Sequence, residues 1–282
     1  MSGPLLGFAG EHGSFAEDAA VAYAPGCRTL PLASFTDVFA AVRDGRADGG
    51  VVPIENVRQG SVREVYDLLL DHPLTIVGEA VVRVRLCLAA LPGQSLDDIE
   101  RVYSHVQALA QAEPFLRSRP WTLFASTNTA GAGVEIVRRR ENGAAAVLSP
   151  RAAELHGLTV LAADIAADPR NRSRFLVLAR SAPEWAVPAA GDAMRTTIAF
   201  AVVNEPGSLL RVLAVLVDHG INMSKLESRP SRELAWEYVF WADLDADLCA
   251  HAAAGVVERL RGVSAWLRIL GCYPVGGSAA DV

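Results

Sequence analysis

The chain has little of what marks metal, redox, secreted or membrane proteins. Its four cysteines, Cys27, Cys87, Cys249 and Cys272, are scattered with no C-x-x-C spacing and no short pairing. Buried free thiols in a reducing compartment are therefore expected. The six histidines are equally dispersed, and no His/Cys/carboxylate group has metal-ligand spacing. No basic block occurs and the net charge is −6, which argues against a nucleic-acid surface. No apolar run reaches the roughly 18 residues of a membrane span. The first ten residues lack the basic and apolar regions of a signal peptide, so a cytoplasmic location is expected. What is present is core-forming material: 51% hydrophobic and 21% charged residues over 282 positions, enough for two or three domains.

Short apolar segments alternate with amphipathic ones. Strands are expected at 5–9, 50–54, 121–125, 144–148, 158–162 and 175–179, with a strand-rich stretch at 75–91 that suggests a crossover into a second lobe. Helices are expected at 14–23, at 34–44 with Ser34 as cap, and at 61–70 with Ser61 as cap. More follow at 95–101, at 107–117 with a kink at Pro114, at 130–140 and at 151–156. The alternation implies an α/β fold with mostly parallel sheets in two lobes and a cleft between them. Residues 181–193, with Pro183, Pro188 and Gly191, read as a linker. Beyond it, strands at 195–203, 221–229, 236–243 and 265–271 and helices at 207–219 and 248–260 give βαββαβ, the ferredoxin-like split.

Four segments carry polar groups at strand and helix ends. In Gly10–Phe15, free backbone N–H groups and Ser14 can hold a carboxylate. In 53–61, a buried strand runs out into Glu55 and Asn56, the latter offering two donors and an acceptor. Ser104, His105 and Gln107 open a helix, and Thr129 stands at a similar place further on, able to cap or bind. In 171–175, Ser173 lies beside Arg174, whose planar fork suits a carboxylate.

Taken in this order, these segments resemble the prephenate dehydratase family. The matching stretches are Gly13-Ser14-Phe15-Ala16, Pro53-Ile54-Glu55-Asn56-Val57, Ser104-His105-Val106-Gln107 and Ser173-Arg174-Phe175. The C-terminal unit carries Asn204-Glu205-Pro206-Gly207-Ser208-Leu209 and Glu227-Ser228-Arg229-Pro230, which resemble this family's ACT domains. Departures are Val57 for serine, Val106 for proline, Ser173 for threonine and Asn128 for aspartate.

The resemblance implies a periplasmic-binding-protein-like catalytic domain at 1–180, with lobe one at about 1–78 and 170–180 and lobe two at about 79–169. It further implies an ACT domain at 194–275. It implies a lyase that converts prephenate to phenylpyruvate with no cofactor, catalysis by Ser173, Arg174, Asn56, His105 and Gln107, and substrate binding by Ser14, Glu55, Ser104, Thr129 and Phe175. Phenylalanine is the implied effector, bound near Gly207, Leu209, Asn222, Glu227 and Ser228, in a homodimer or homotetramer joined through ACT domains. Two other readings stand beside this one. A prephenate decarboxylase would lose carbon dioxide without expelling the hydroxyl, and a non-catalytic binding protein would hold its ligand without turnover.

Overall fold

The structure, a computed structural model, describes residues 3–186, 191–231 and 238–276. Among these, 3–71 and 80–176 form one compact unit, and 72–79 with 177–276 form another. Parts of the expected linker (187–190) and of the expected strand at 236–243 (236–237) lie outside the described residues. No described helix is long and apolar enough to cross a membrane.

The first lobe is built from β1 (Leu5–Ala9), α1 (Phe15–Tyr23), β2 (Arg28–Leu32), α2 (Phe35–Arg43), β3 (Gly49–Asn56), β4 (Gly60–Ser61), α3 (Arg63–Asp71) and β5 (Thr75–Arg83). Its sheet runs β2-β1-β3-β11-β5 and includes the returning strand β11 (Arg172–Ala179), with β4 on β3. Strand β1 pairs in parallel with both β2 and β3. Residues 49–52 of β3 are fully buried, as a parallel strand covered on both faces requires. Val38, Phe39 and Val42 of α2 are buried in the core. At Gly50 a Cβ would sit 2.7 Å from Val38 Cγ1 and 3.0 Å from Val42 Cγ2, so that glycine lets α2 approach the sheet.

The second lobe comprises β6 (Cys87–Ala90), β7 (Arg101–Ser104), α4 (Val106–Gln111), α5 (Glu113–Leu116), β8 (Thr122–Ala125), α6 (Thr129–Arg139), β9 (Ala144–Leu148), α7 (Pro150–Leu155) and β10 (Thr159–Ala162). Its sheet order is β10-β6-β9-β7-β8. It is mixed rather than mostly parallel: β6 is antiparallel to β9 and β10, while β7 is parallel to β8 and β9. One face packs Val84, Leu86, Val102, Leu116 and Val147, and the other packs Ile136, Leu148, Ala152 and Leu158.

Several expectations need correction. The helix expected to start at Ser61 begins at Arg63, and Ser61 pairs with Glu55 in the β3–β4 hairpin. Residues 95–101 hold a single 3₁₀ turn (Leu96–Asp98) before β7, because the Ser95–Asp98 capping box closes the turn on itself. Pro114 splits the expected kinked helix in two at Ala112, since it has no N–H to continue the ladder. Strand β11 starts at Arg172, so Ser173 and Arg174 lie within the strand rather than before it.

The second unit holds β12 (Met194–Ala201), α8 (Ser208–Asp218), β13 (Met223–Pro230), β14 (Tyr238–Leu244), α9 (Ala254–Val263) and β15 (Trp266–Pro274). The sheet order β13-β14-β12-β15 is the βαββαβ split. Ile198, Phe200, Val212, Leu216, Leu244 and Leu260 fill the space between sheet and helices. The unit also takes in residues 72–79. Arg195 Nη1 donates to both oxygens of buried Glu79 at 2.7 and 2.8 Å. A Cβ on Gly271 would meet the Ile76 carbonyl at 2.0 Å.

The cysteine expectation fails for one pair. Cys249 and Cys272 form a disulfide with Cα atoms 6.0 Å apart, while Cys27 and Cys87 are free. The two are 23 residues apart and meet only through tertiary structure. Thr196, opposite Cys272 across the β12–β15 pairing, accepts from Leu248 N and donates to Ala246 O, which holds the loop that carries Cys249.

Candidate active site

Strand β3 ends at Asn56 and β11 begins beside it. The buried Asn56 amide joins them: its Nδ2 donates to Asn171 Oδ1 at 2.9 Å, Arg172 O at 3.0 Å and Ser173 Oγ at 3.0 Å. Its Oδ1 accepts from Arg58 N and Gln59 N at 3.0 and 3.2 Å. Two backbone donors on Oδ1 fix which end of the amide faces Ser173. Because Nδ2 has no lone pair, the Ser173 hydroxyl can only accept from it. The Ser173 O–H proton has no protein acceptor among the described residues, so it is available to a bound molecule. Arg174, 11% exposed, donates from Nε to Glu55 Oε1 at 2.6 Å. Glu55 thereby orients the guanidinium. As an anion paired to the arginine, it is better suited to that work than to meeting a carboxylate itself.

The glycine-rich turn after β1 behaves otherwise. Ser14 caps α1 by accepting from Glu17 N at 3.4 Å. The amide of Gly13, expected to be free for a ligand, donates to Glu17 Oε2 at 2.7 Å. The same buried carboxylate accepts from Thr29 Oγ1 at 2.8 Å, contacts His12 Nδ1 at 2.7 Å and lies 3.3 Å from Arg151 Nη2. Burial alone would raise the Glu17 pKa, but hydrogen bonds from Gly13, His12 and Thr29 and the Arg151 charge together hold it below its ordinary value. The turn thus carries its own carboxylate, a role for Glu17 that sequence reasoning missed.

In lobe two the parallel strands β7, β8 and β9 each run into a helix from the same sheet edge. Their caps are His105, whose Nδ1 accepts from Gln107 N at 3.3 Å, Asn128, whose Oδ1 accepts from Gly131 N at 2.5 Å, and Ser149, whose Oγ accepts from Ala152 N at 2.9 Å. Asn128, not Thr129, caps α6. His105 is half-buried, Gln107 exposed and Thr129 half-buried. Ser104 is fully buried with its hydroxyl donated to Val147 O at 2.6 Å, and Phe175 is 4% exposed. Both side chains are packed within the lobes.

Ser149 Oγ also donates to Gly13 O at 2.8 Å. At the same seam Arg151 pairs with Asp18, and a Cβ on Gly13, whose φ is +84°, would lie 2.6 Å from Ala152 Cα. The edge bearing the Gly13 turn is also the edge where β3 ends in Asn56, because β1 and β3 are parallel. The lobes therefore meet strand end to strand end. On the first edge Asn56 is bonded to Ser173 and Glu55 to Arg174, and His105, Gln107 and Thr129 stand along the other.

In the second unit, Gly207 caps α8 with φ +82° and Leu209 is half-buried against the core. Phe200 of β12 and Ser228 of β13 both pair with Phe240 of β14, so Glu227 and Ser228 lie near the end of β12 from which the Gly207 turn departs. Asn222 is at the other end, donating to Asp245 Oδ2 at 2.6 Å. One chain thus does not gather all five expected effector residues.

The two lobes thus carry a donor hydroxyl, a paired guanidinium and helix N-termini at their strand ends, and a separate βαββαβ unit follows them. The chain belongs to the prephenate dehydratase family, whose profile matches residues 6–183, and it is a lyase; the ACT domain profile matches residues 196–260. An Arabidopsis thaliana protein, arogenate dehydratase/prephenate dehydratase 2, chloroplastic, is 39% identical over 96% of this chain and 72% of its own length. Prephenate dehydratase from Arthrobacter aurescens in complex with L-Phe superposes with a TM-score of 0.86 at 29% identity, covering 96% of this chain and 89% of its own. The structure of GqqA, described as a novel type of quorum quenching acylase, gives 0.87 at 32% identity, covering 96% and 98%.

Proposed function

We propose that the protein is a prephenate dehydratase that forms phenylpyruvate. The observation that carries this reading is the Ser173 hydroxyl, held by Asn56 with its proton unclaimed and placed one residue from Arg174. The ring carboxylate leaves as carbon dioxide, its bonding electrons enter the ring, and the carbon–oxygen bond to the ring hydroxyl breaks. The departing hydroxide takes up a proton and leaves as water. Ser173 donates a hydrogen bond to the departing oxygen, a preorganised contact of a kind worth about 2.7–4 kcal/mol. Arg174 holds a substrate carboxylate, and His105, Gln107 and Thr129 orient the rest.

Among the departures from the family pattern, Val57 is 74% exposed and Val106 56% exposed. Neither takes a polar group out of the Asn56 cluster, which favours dehydration over the non-aromatising decarboxylase. The test incubates the protein with prephenate, and separately with arogenate, and records product spectra. Phenylpyruvate from prephenate supports the reading. A non-aromatic keto acid, binding without turnover, or turnover of arogenate alone overturns it.

The domain division that goes with this function is 1–180 for catalysis, 181–193 as linker and 194–275 for regulation, in keeping with the two profile matches. Phenylalanine is the proposed inhibitor. A two-fold pairing of β13 edges would bring Asn222 of one copy toward Glu227 and Ser228 of another, which supports a dimer as the binding form. Calorimetry with phenylalanine, alongside activity, tests this; no heat and unchanged activity would sink it.

A further inference from the structure

We propose that Asn171 is a positioning residue of this site, which sets the Asn56 amide and through it the Ser173 hydroxyl. The inference deepens the dehydratase reading and rests on it. Asn171 is 1% exposed. Its main chain is held on both sides, N–H to Asp168 O at 3.2 Å and C=O from Val84 N at 2.9 Å. Its side-chain Oδ1 accepts from Asn56 Nδ2, and its own Nδ2 is buried with no partner. The orientation follows from the chain of contacts. Arg58 N and Gln59 N fix Asn56 Oδ1, so Asn56 Nδ2 must face Asn171, and only Asn171 Oδ1 can meet a donor. The unpartnered amine is thus a consequence of presenting an acceptor to Asn56. A buried donor left unsatisfied is disfavoured in a native core, and a smaller residue there would avoid it, so the acceptor is what the position supplies.

The hydrogen count gives the role. Asn56 Nδ2 has two hydrogens and three acceptors in range: Asn171 Oδ1, Arg172 O and Ser173 Oγ. Asn171 Oδ1 and Arg172 O hold the amide at 2.9 and 3.0 Å, and Ser173 receives a share at 3.0 Å. Remove the Asn171 acceptor and the amide is free to rotate toward Ser173 or away from it. Arg174, which grips the carboxylate, takes no part in this count.

The experiment compares Asn171→Leu, which removes the acceptor, with Asn171→Asp, which keeps an oxygen there and adds negative charge. Circular dichroism and melting confirm folding, and kcat and KM are measured for each variant. Asparagine-selective ¹⁵N labelling follows the Asn56 side-chain amide in the unliganded protein. N171L is expected to lose about 10–100-fold in kcat with KM within about twofold, and to displace the Asn56 amide resonances. N171D is expected to keep kcat within about fivefold while KM rises, the opposite split, because the anionic substrate meets a new charge. A merely structural role would lower both variants together without that split. An N171L kcat within about twofold of the parent, unmoved Asn56 resonances, or an N171D kcat as low as that of N171L would each overturn the proposal. If the unaltered protein turns over neither acid, the dehydratase reading falls, and the Asn56 resonances alone still decide whether Asn171 holds that amide.

Discussion

Two polar turns at the same sheet edge, the one at Gly10–Ser14 and the one joining Asn56 to Ser173, look alike in composition and differ in what they leave unsatisfied. In the first, Glu17 fills the amide of Gly13 and Ser14 caps α1. In the second, Asn56 holds Ser173 only as an acceptor, so a donor remains for a ligand. At this edge the glycine-rich turn is occupied by its own carboxylate, Glu17, and the Asn56 turn is not. The strongest way to break the comparison is Ser173→Ala. It should lower kcat about 100–1,000-fold, the effect of losing one preorganised donor, with KM and melting temperature little changed. An equal loss from Ser14→Ala would mean that both turns act on the substrate.

The first turn should answer to stability instead. Gly13→Ala forces a Cβ to within 2.6 Å of Ala152 Cα at a positive φ, and is expected to destabilise by about 2–3 kcal/mol in denaturant unfolding. Glu17→Gln should remove about 1–2 kcal/mol by weakening the bonds from Gly13, His12 and Thr29. It should also change the response to acid. The Glu17 pKa is lower folded than its ordinary 4.5, so its contribution is complete above that value and is lost as pH falls through it toward the folded value. The variant's stability should therefore fall less steeply below about pH 4.5. If parent and variant show the same acid slope, Glu17 does not hold the turn as the geometry indicates.

Much of this was legible in the chain itself. The βαββαβ unit, the lobe-one helix 35–43 with cap Ser34, and the nearness of Asn56 to Ser173 follow from periodicity, cap chemistry and motif order. What escaped depended on partners distant in sequence. Asn171 became visible only when β11 met β3. Glu17, apolar-face periodicity notwithstanding, turned inward to a glycine amide four residues back. The Cys249–Cys272 pairing needed the β12–β15 register, and the role of Ser104 needed the carbonyl of Val147. The two-residue strand at Gly60–Ser61 moved the start of α3 to Arg63, which the sequence pattern did not show.

The smallest expected effect tests whether the family departures matter. Val57 follows Asn56 directly, and its amide donates to Arg172 O at 3.0 Å, an interaction any residue but proline supplies. Its side chain is 74% exposed and that of Val106 56% exposed. Exposed substitutions away from caps and cores shift stability by about 0.5 kcal/mol or less. Val57→Ser should therefore leave stability within that range and kcat within about twofold, with the same product from prephenate. A gain in kcat well beyond this would mean that a hydroxyl at 57 meets the substrate. The second turn would then extend past Asn56 into the β3–β4 hairpin, and the valine would be a determinant of which bond the enzyme breaks.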